Sequence, residues 1–133
     1  MRFGEFIRAK RLEHPNEYTG MDVANALGIS RSYLSEVEGN RKKPPDYKYL
    51  IKLAEFLNLT EDEAAMMYDL ASRDNGEVPY DIADTFMYEE VGNLARVALR
   101  KTQAGFIDEE DWKKFIREAE KKRRESEGGD IND

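Results

Sequence analysis

The tightest constraint on this chain lies between Thr19 and Pro45, where two short apolar-periodic segments stand almost end to end. The first opens at Thr19, a candidate N-cap. It stops at Gly28, which can take the positive φ of a sharp turn. The second opens two residues later at Ser30, another candidate N-cap, and runs to Gly39-Asn40. Ile29, Leu34 and Val37 supply its buried side, and Ala24 is small where the two helices must approach closely. Arg31, Ser32, Ser35 and Glu36 fall on the other side and are all polar. The basic cluster Arg41-Lys42-Lys43 follows, then Pro44-Pro45. A helical hairpin that only packs needs neither a polar outward set nor a basic loop directly after it.

Nearly every other segment also reads as helix, and strand-like alternation is not sustained anywhere. The periodicity predicts a first helix over Phe3–Glu13, with Phe3, Phe6, Ile7 and the stem of Lys10 on one face and Pro15 closing it. A fourth covers about Asp46 to Leu57, with Tyr47, Leu50, Ile51, Ala54 and Leu57 at helical spacing. Thr60-Glu61-Asp62-Glu63 is a capping box that starts a fifth, with Ala64, Met67, Leu70 and Ala71 as its inner stripe. Asp74-Asn75-Gly76 and Pro79 mark a domain boundary. Beyond it, helices are expected around Asp81–Glu90, around Asn93–Gln103, and from Asp108, where Ile107 can staple onto Trp112. Residues 126–133 read as a disordered polar tail.

The 133 residues suffice for one domain with a modest core plus an appendage. Net charge is −7, yet it is unevenly spread: residues 1–48 carry nine Lys and Arg against seven Asp and Glu, and residues 49–133 twelve against twenty-one. A mildly basic front is thus joined to an acidic back. With no cysteine there are no disulfides, no thiolate zinc site and no cysteine nucleophile. The first residues carry no signal-peptide apolar core, and no apolar run approaches the roughly 20 residues of a membrane span. The expected location is the cytoplasm.

From Val23-Ala24 through Leu27-Gly28-Ile29-Ser30, Tyr33-Leu34-Ser35 and Val37-Glu38 to Lys43-Pro44, the segment resembles the Cro/C1-type (XRE) helix-turn-helix family of phage and bacterial repressors. With the helices on either side, the likeness covers about residues 1–72. It implies an all-α fold: a five-helix, lambda-repressor-like DNA-binding domain over 1–72, followed by a small helical C-terminal extension over 73–125. It implies that Arg31 and Ser32 lead the base-reading set and that Ser35 and Glu36 also face bases, in a major groove about 12 Å wide. Phosphate contacts are expected from Thr19, Gly20, Tyr33, Asn40, Arg41, Lys42 and Lys43, with Tyr33 packing on the fourth helix as its alternative. The structural set is Ala24, Gly28, Leu34 and Val37, together with an Arg11–Glu38 pair that ties the first helix to the third. The chain departs from the family in carrying Gly20 where glutamine is usual, so backbone amides there would replace a side chain. The turn Gly39-Asn40 and the long His14–Tyr18 loop also depart.

Other features read more plainly. His14 is the single histidine and has no ligand spacing, and Asp108 to Asp111 suit a helix N-terminus. Neither a metal site nor a cofactor is expected. The sequence offers no nucleophile–base set and no glycine-rich phosphate loop, so no enzymatic activity is expected. Trp112, Phe115 and Ile116 either form a core or anchor an interface. The leading expectation is a dimeric repressor on a double-stranded operator. The competing one is an antitoxin whose acidic C-terminal helices cap a basic partner such as a toxin while the front half autoregulates.

Overall fold

The computed structural model describes residues 1–129, and among them all regular structure is helical. The helices are α1 (Phe3–Glu13), α2 (Gly20–Leu27), α3 (Arg31–Glu38), α4 (Tyr47–Phe56), α5 (Glu61–Arg73), α6 (Tyr80–Tyr88), α7 (Glu90–Gln103) and α8 (Glu109–Gly129). The chain divides into two compact units, one from Met1 to Ala83 and one from Asp84 on. The first unit thus takes in the Asp74–Pro79 loop and the start of α6, beyond the boundary placed after residue 72.

Local chemistry fixes the helix ends of the first unit. His14 is extended at φ −65° and ψ 135°, the conformation favoured before a proline, so α1 stops there. Thr19 and Asp22 form a capping box at the start of α2, and Thr60 and Glu63 form another at the start of α5. Gly28 ends α2 at φ 72°, and Ser30 Oγ then accepts from the Tyr33 amide to start α3. The turn of the motif therefore occupies two residues, Gly28 and Ile29.

One core serves all five helices. Ile7 of α1, Val23 and Leu27 of α2, Leu53 of α4 and Met67 of α5 are its most completely buried large side chains. Phe3, Phe6, Ala24, Leu34, Val37, Leu50, Leu57 and Leu70 complete it. In α4 the buried stripe differs from the expected one: Leu50, Leu53 and Leu57 are inside, whereas Ile51 is exposed. Both stripes satisfy helical spacing, and contact with α2 and α5 selects between them. Met67 is buried and Met66 exposed, as adjacent residues on one helix must be.

The second unit is thinly packed. Gly92 is the buried residue of α7, and a Cβ there would collide with the Thr85 and Phe86 carbonyls of α6. Arg96 donates to the Phe86 carbonyl and lies 5.7 Å from the centre of its ring. Trp112 Nε1 donates to Thr102 Oγ1 at 2.9 Å, joining α8 to α7. Asp108 and Asp111 exchange backbone-to-carboxylate bonds at 3.0 and 2.9 Å, which starts α8. Phe115 and Ile116 are 65% and 53% exposed, so they are not core. Helix α8 also continues through Gly129, so residues 126–129 are helical rather than a disordered tail. The pair Arg123–Glu127 at i,i+4 supports that last stretch. Residues 130–133 of the expected tail lie outside the described residues.

Candidate nucleic-acid interface

Helix α3 presents its polar side to a concavity of about 830 Å³ whose wall includes Arg11, Thr19, Gly20, Arg31, Ser32, Ser35, Glu36 and Arg41. Arg31, Ser32 and Ser35 are exposed, and Glu36 is half-buried. Capping Ser30 serves the Tyr33 amide, and the Leu34 amide bonds the Ser30 carbonyl. The amides of Arg31 and Ser32, in the first turn, have no intrahelical acceptor to bond. At the start of α2 the same holds for Gly20 and Met21. There Thr19 Oγ1 takes the Asp22 amide at 3.2 Å, and the Thr19 amide donates to Asp22 Oδ2 at 2.8 Å. Two helix starts with outward amides thus flank one concavity, an arrangement that favours anionic groups.

Gly20 shapes this wall. A Cβ at Gly20 would lie 3.8 Å from Arg31 Nε, so the arginine passes close over the start of α2. A longer residue there would compete with Arg31 for the space.

The basic loop is anchored to the end of α3. The Arg41 and Lys42 amides both donate to the Glu36 carbonyl, at 2.8 and 3.3 Å. Lys42 Nζ lies 3.3 Å from Glu36 Oε2 and 5.8 Å from the centre of the Tyr33 ring. Tyr33 is half-buried and packed against the core. Arg41 folds back beside Gly39, where its guanidinium occupies the place a Cβ would take. Lys43 is exposed. Asn40 sits at φ 57°, and its Oδ1 accepts from the Gly4 amide at 2.9 Å. Its side-chain oxygen is thereby committed to holding α1.

Three further groups set the position of α3. Arg11 donates to Glu38 through two nitrogens, at 2.9 and 2.8 Å, and to the Tyr18 carbonyl at 3.2 Å. The two side chains are 13% and 9% exposed, so this is a largely buried bidentate pair. Its hydrogen bonds to Glu38 raise the arginine's pKa, so the guanidinium stays charged. Tyr18, whose carbonyl closes the triad, stacks on Phe56 of α4 with ring centres 4.3 Å apart. Gly4 is the third group. A Cβ there would come within 3.0 Å of the Val37 and Glu38 carbonyls, so only glycine lets α1 lie this close to the end of α3. Gly4 and Tyr18 were missed by sequence reasoning. A glycine inside the apolar stripe Phe3-Phe6-Ile7 was the available signal for the first.

Lys10 and Glu63 join α1 to α5 at 2.6 Å. The hydrogen bond from Lys10, with the cap bond from the Thr60 amide, pulls the Glu63 carboxyl down to about 2. No cluster of three or more metal-ligating side chains occurs among the described residues, and no described helix is long and apolar enough to cross a membrane.

Residues 7–63 match a family model described as helix-turn-helix. Comparison with curated proteins and with solved structures gives no match. The matched segment runs from Ile7 of α1 into the first turn of α5 and so contains α2, α3 and the basic loop. A two-residue turn between α2 and α3, a polar outer face on α3 and the family match together mark residues 7–63 as a helix-turn-helix domain of the Cro/C1 (XRE) type.

Proposed function

We propose that the protein is a repressor that binds a double-stranded operator as a homodimer, with α3 in the major groove. The observation that carries this reading is the polar, exposed start of α3, set in a concavity between the first turn of α2 and the basic loop. Arg31 and Ser32 read bases first, and Ser35 and Glu36 follow along the groove floor. Thr19 and the amides of Gly20 hold one phosphate stretch. Arg41, Lys42 and Lys43 hold the other, with Tyr33 and Asn40 keeping that loop in place. The Lys42–Glu36 pair is a resting arrangement: at the DNA surface Lys42 turns to a phosphate, and Glu36 is left to accept from cytosine N4 or to repel other bases.

One α3 reads only a few base pairs, so adequate specificity needs two half-sites about 34 Å apart. Selection of bound sequences from random duplexes at fixed salt tests the reading. The expected outcome is a two-fold symmetric site with that spacing. Recovery of unenriched sequence would reject it.

The acidic balance after residue 48 favours a second reading, in which the C-terminal helices cap a basic protein such as a toxin. Under that reading a basic protein binds the full chain at low salt and is released at high salt.

A further inference from the structure

We infer that the face of α8 carrying Trp112, Phe115, Ile116 and Ala119 is a self-association surface, on which two copies pair antiparallel about a two-fold axis between Phe115 and Ile116. The inference rests on the proposed dimeric reading and names the surface that dimer uses. Three observations converge on it.

The first is an unfilled apolar groove. Within the second unit, α7 and α8 bound a groove of about 560 Å³ lined chiefly by Val91, Leu94, Ala98, Trp112 and Phe115. Phe115 stands exposed at its α8 side and Leu94 on α7, and Ile116, next along α8, is exposed as well. An apolar face of this kind is costly in water and is normally covered.

The second is shape. Residues 112, 115, 116 and 119 share one side of α8. A two-fold axis between Phe115 and Ile116 sets these two against each other and sets Trp112 against Ala119. Large then meets small at each end of the seam, which lets two helices approach without voids.

The third is charge, and it selects the occupant. Helix α8 begins with Glu109, Glu110 and Asp111 and carries Lys121, Lys122, Arg123 and Arg124 three turns later. Antiparallel pairing puts the acidic end of each copy against the basic end of the other, twice. Lys113 then faces Glu118, while Asp111 faces Glu120 and Lys114 faces Arg117, so opposite-sign pairs outnumber like-sign ones four to two when Asp108–Arg123, Glu109–Lys122 and Glu110–Lys121 are counted. Parallel pairing would set like against like at both ends. A partner of a single charge sign would be repelled at one end of the face. A second copy is the occupant for which opposite-sign pairs outnumber like-sign ones at both ends of the face.

Sedimentation of the full chain tests this. The wild type is expected to be a dimer. Phe115→Asp should weaken self-association on the order of thirty-fold, the size of a central interface anchor. Because Phe115 is exposed within its own chain, circular dichroism should show unchanged helix content. The doubly substituted variants Glu109→Lys/Glu110→Lys and Lys121→Glu/Lys122→Glu should each dissociate alone and pair when mixed in equal amounts. A monomeric wild type, a dimer indifferent to Phe115→Asp, or variants that stay apart on mixing would each overturn the proposal. So would a wild-type chain that stays monomeric but takes another protein on this face. Binding of Phe115→Asp to a single half-site duplex should match wild type, with the advantage on the two-half-site duplex lost. A chain that dimerises through α8 yet prefers no duplex sequence would instead reject the DNA reading and leave this interface standing.

Discussion

At the residue scale, two cations of the α3 region should behave differently because their surroundings differ. Arg31 projects from the first turn of α3, close over Gly20. A guanidinium there can bond a guanine edge through two nitrogens, worth about 1–3 kcal/mol of discrimination. Arg31→Ala should therefore relax preference at one operator position, read by competition between duplexes differing only there; unchanged preference would remove Arg31 from the reading set. Lys42 lies on the loop, paired with Glu36 and over the Tyr33 ring. Lys42→Ala should weaken binding to all duplexes alike and flatten the salt dependence by about one unit of slope. Gly4 carries no chemistry, yet its substitution should be among the most damaging. Gly4→Ala forces a Cβ against the Val37 and Glu38 carbonyls, which are backbone and cannot swing away. A loss of about 1–3 kcal/mol in urea unfolding is expected, as for other overpacked sites.

At the scale of elements, the issue is what holds α3 at its angle. Where the family usually has a glutamine in α2, this chain has Gly20. The positioning falls to α1, through the Arg11–Glu38 fork, the Asn40–Gly4 bond and the close approach at Gly4. Arg11→Met would leave a nearly buried Glu38 carboxylate without its partner, which costs about 3 kcal/mol. The double variant Arg11→Met/Glu38→Leu should recover part of that loss in a thermal or urea melt, because no unpaired charge remains. The α1–α5 contact is smaller and depends on pH. The carboxyl of Glu63 is held at about 2 in the folded chain against an ordinary value of 4.5. Its stabilisation is therefore complete above about pH 4.5 and is lost as pH falls toward 2. Solvent screening of this partly exposed pair limits its worth to about 1 kcal/mol. Glu63→Gln keeps the capping box, so wild type and variant should differ in stability at pH 7 and converge near pH 2 in parallel acid unfolding curves.

At the scale of the whole molecule, a well-packed first unit is joined to a second with little core of its own. The first unit invests its apolar residues inward, from Phe3 to Leu70. The second leaves Val91, Leu94, Phe106, Phe115 and Ile116 exposed. Much of this was legible beforehand, because capping residues and glycine turns act within a few residues of themselves. Thr19, Gly28, Ser30 and Thr60 each mark a helix end where the sequence places it. The pairing of Arg11 with Glu38 was legible only through family likeness, since nothing local joins positions so far apart. Gly4 left only a faint signal, a glycine inside an apolar stripe, and the Tyr18 carbonyl and the choice of Leu53 over Ile51 left none. Sequence by itself determined the elements, the helix ends of the first unit and the polar side of α3, since these follow from nearest-neighbour hydrogen bonding and helical period, whereas the end of α8 lies beyond the one expected. Only the tertiary structure decided which of two equivalent stripes is buried, how near α1 lies to α3, and that Trp112, Phe115 and Ile116 do not close into a core of their own. Those outcomes depend on which helices are brought face to face, and helical periodicity is silent about its neighbours.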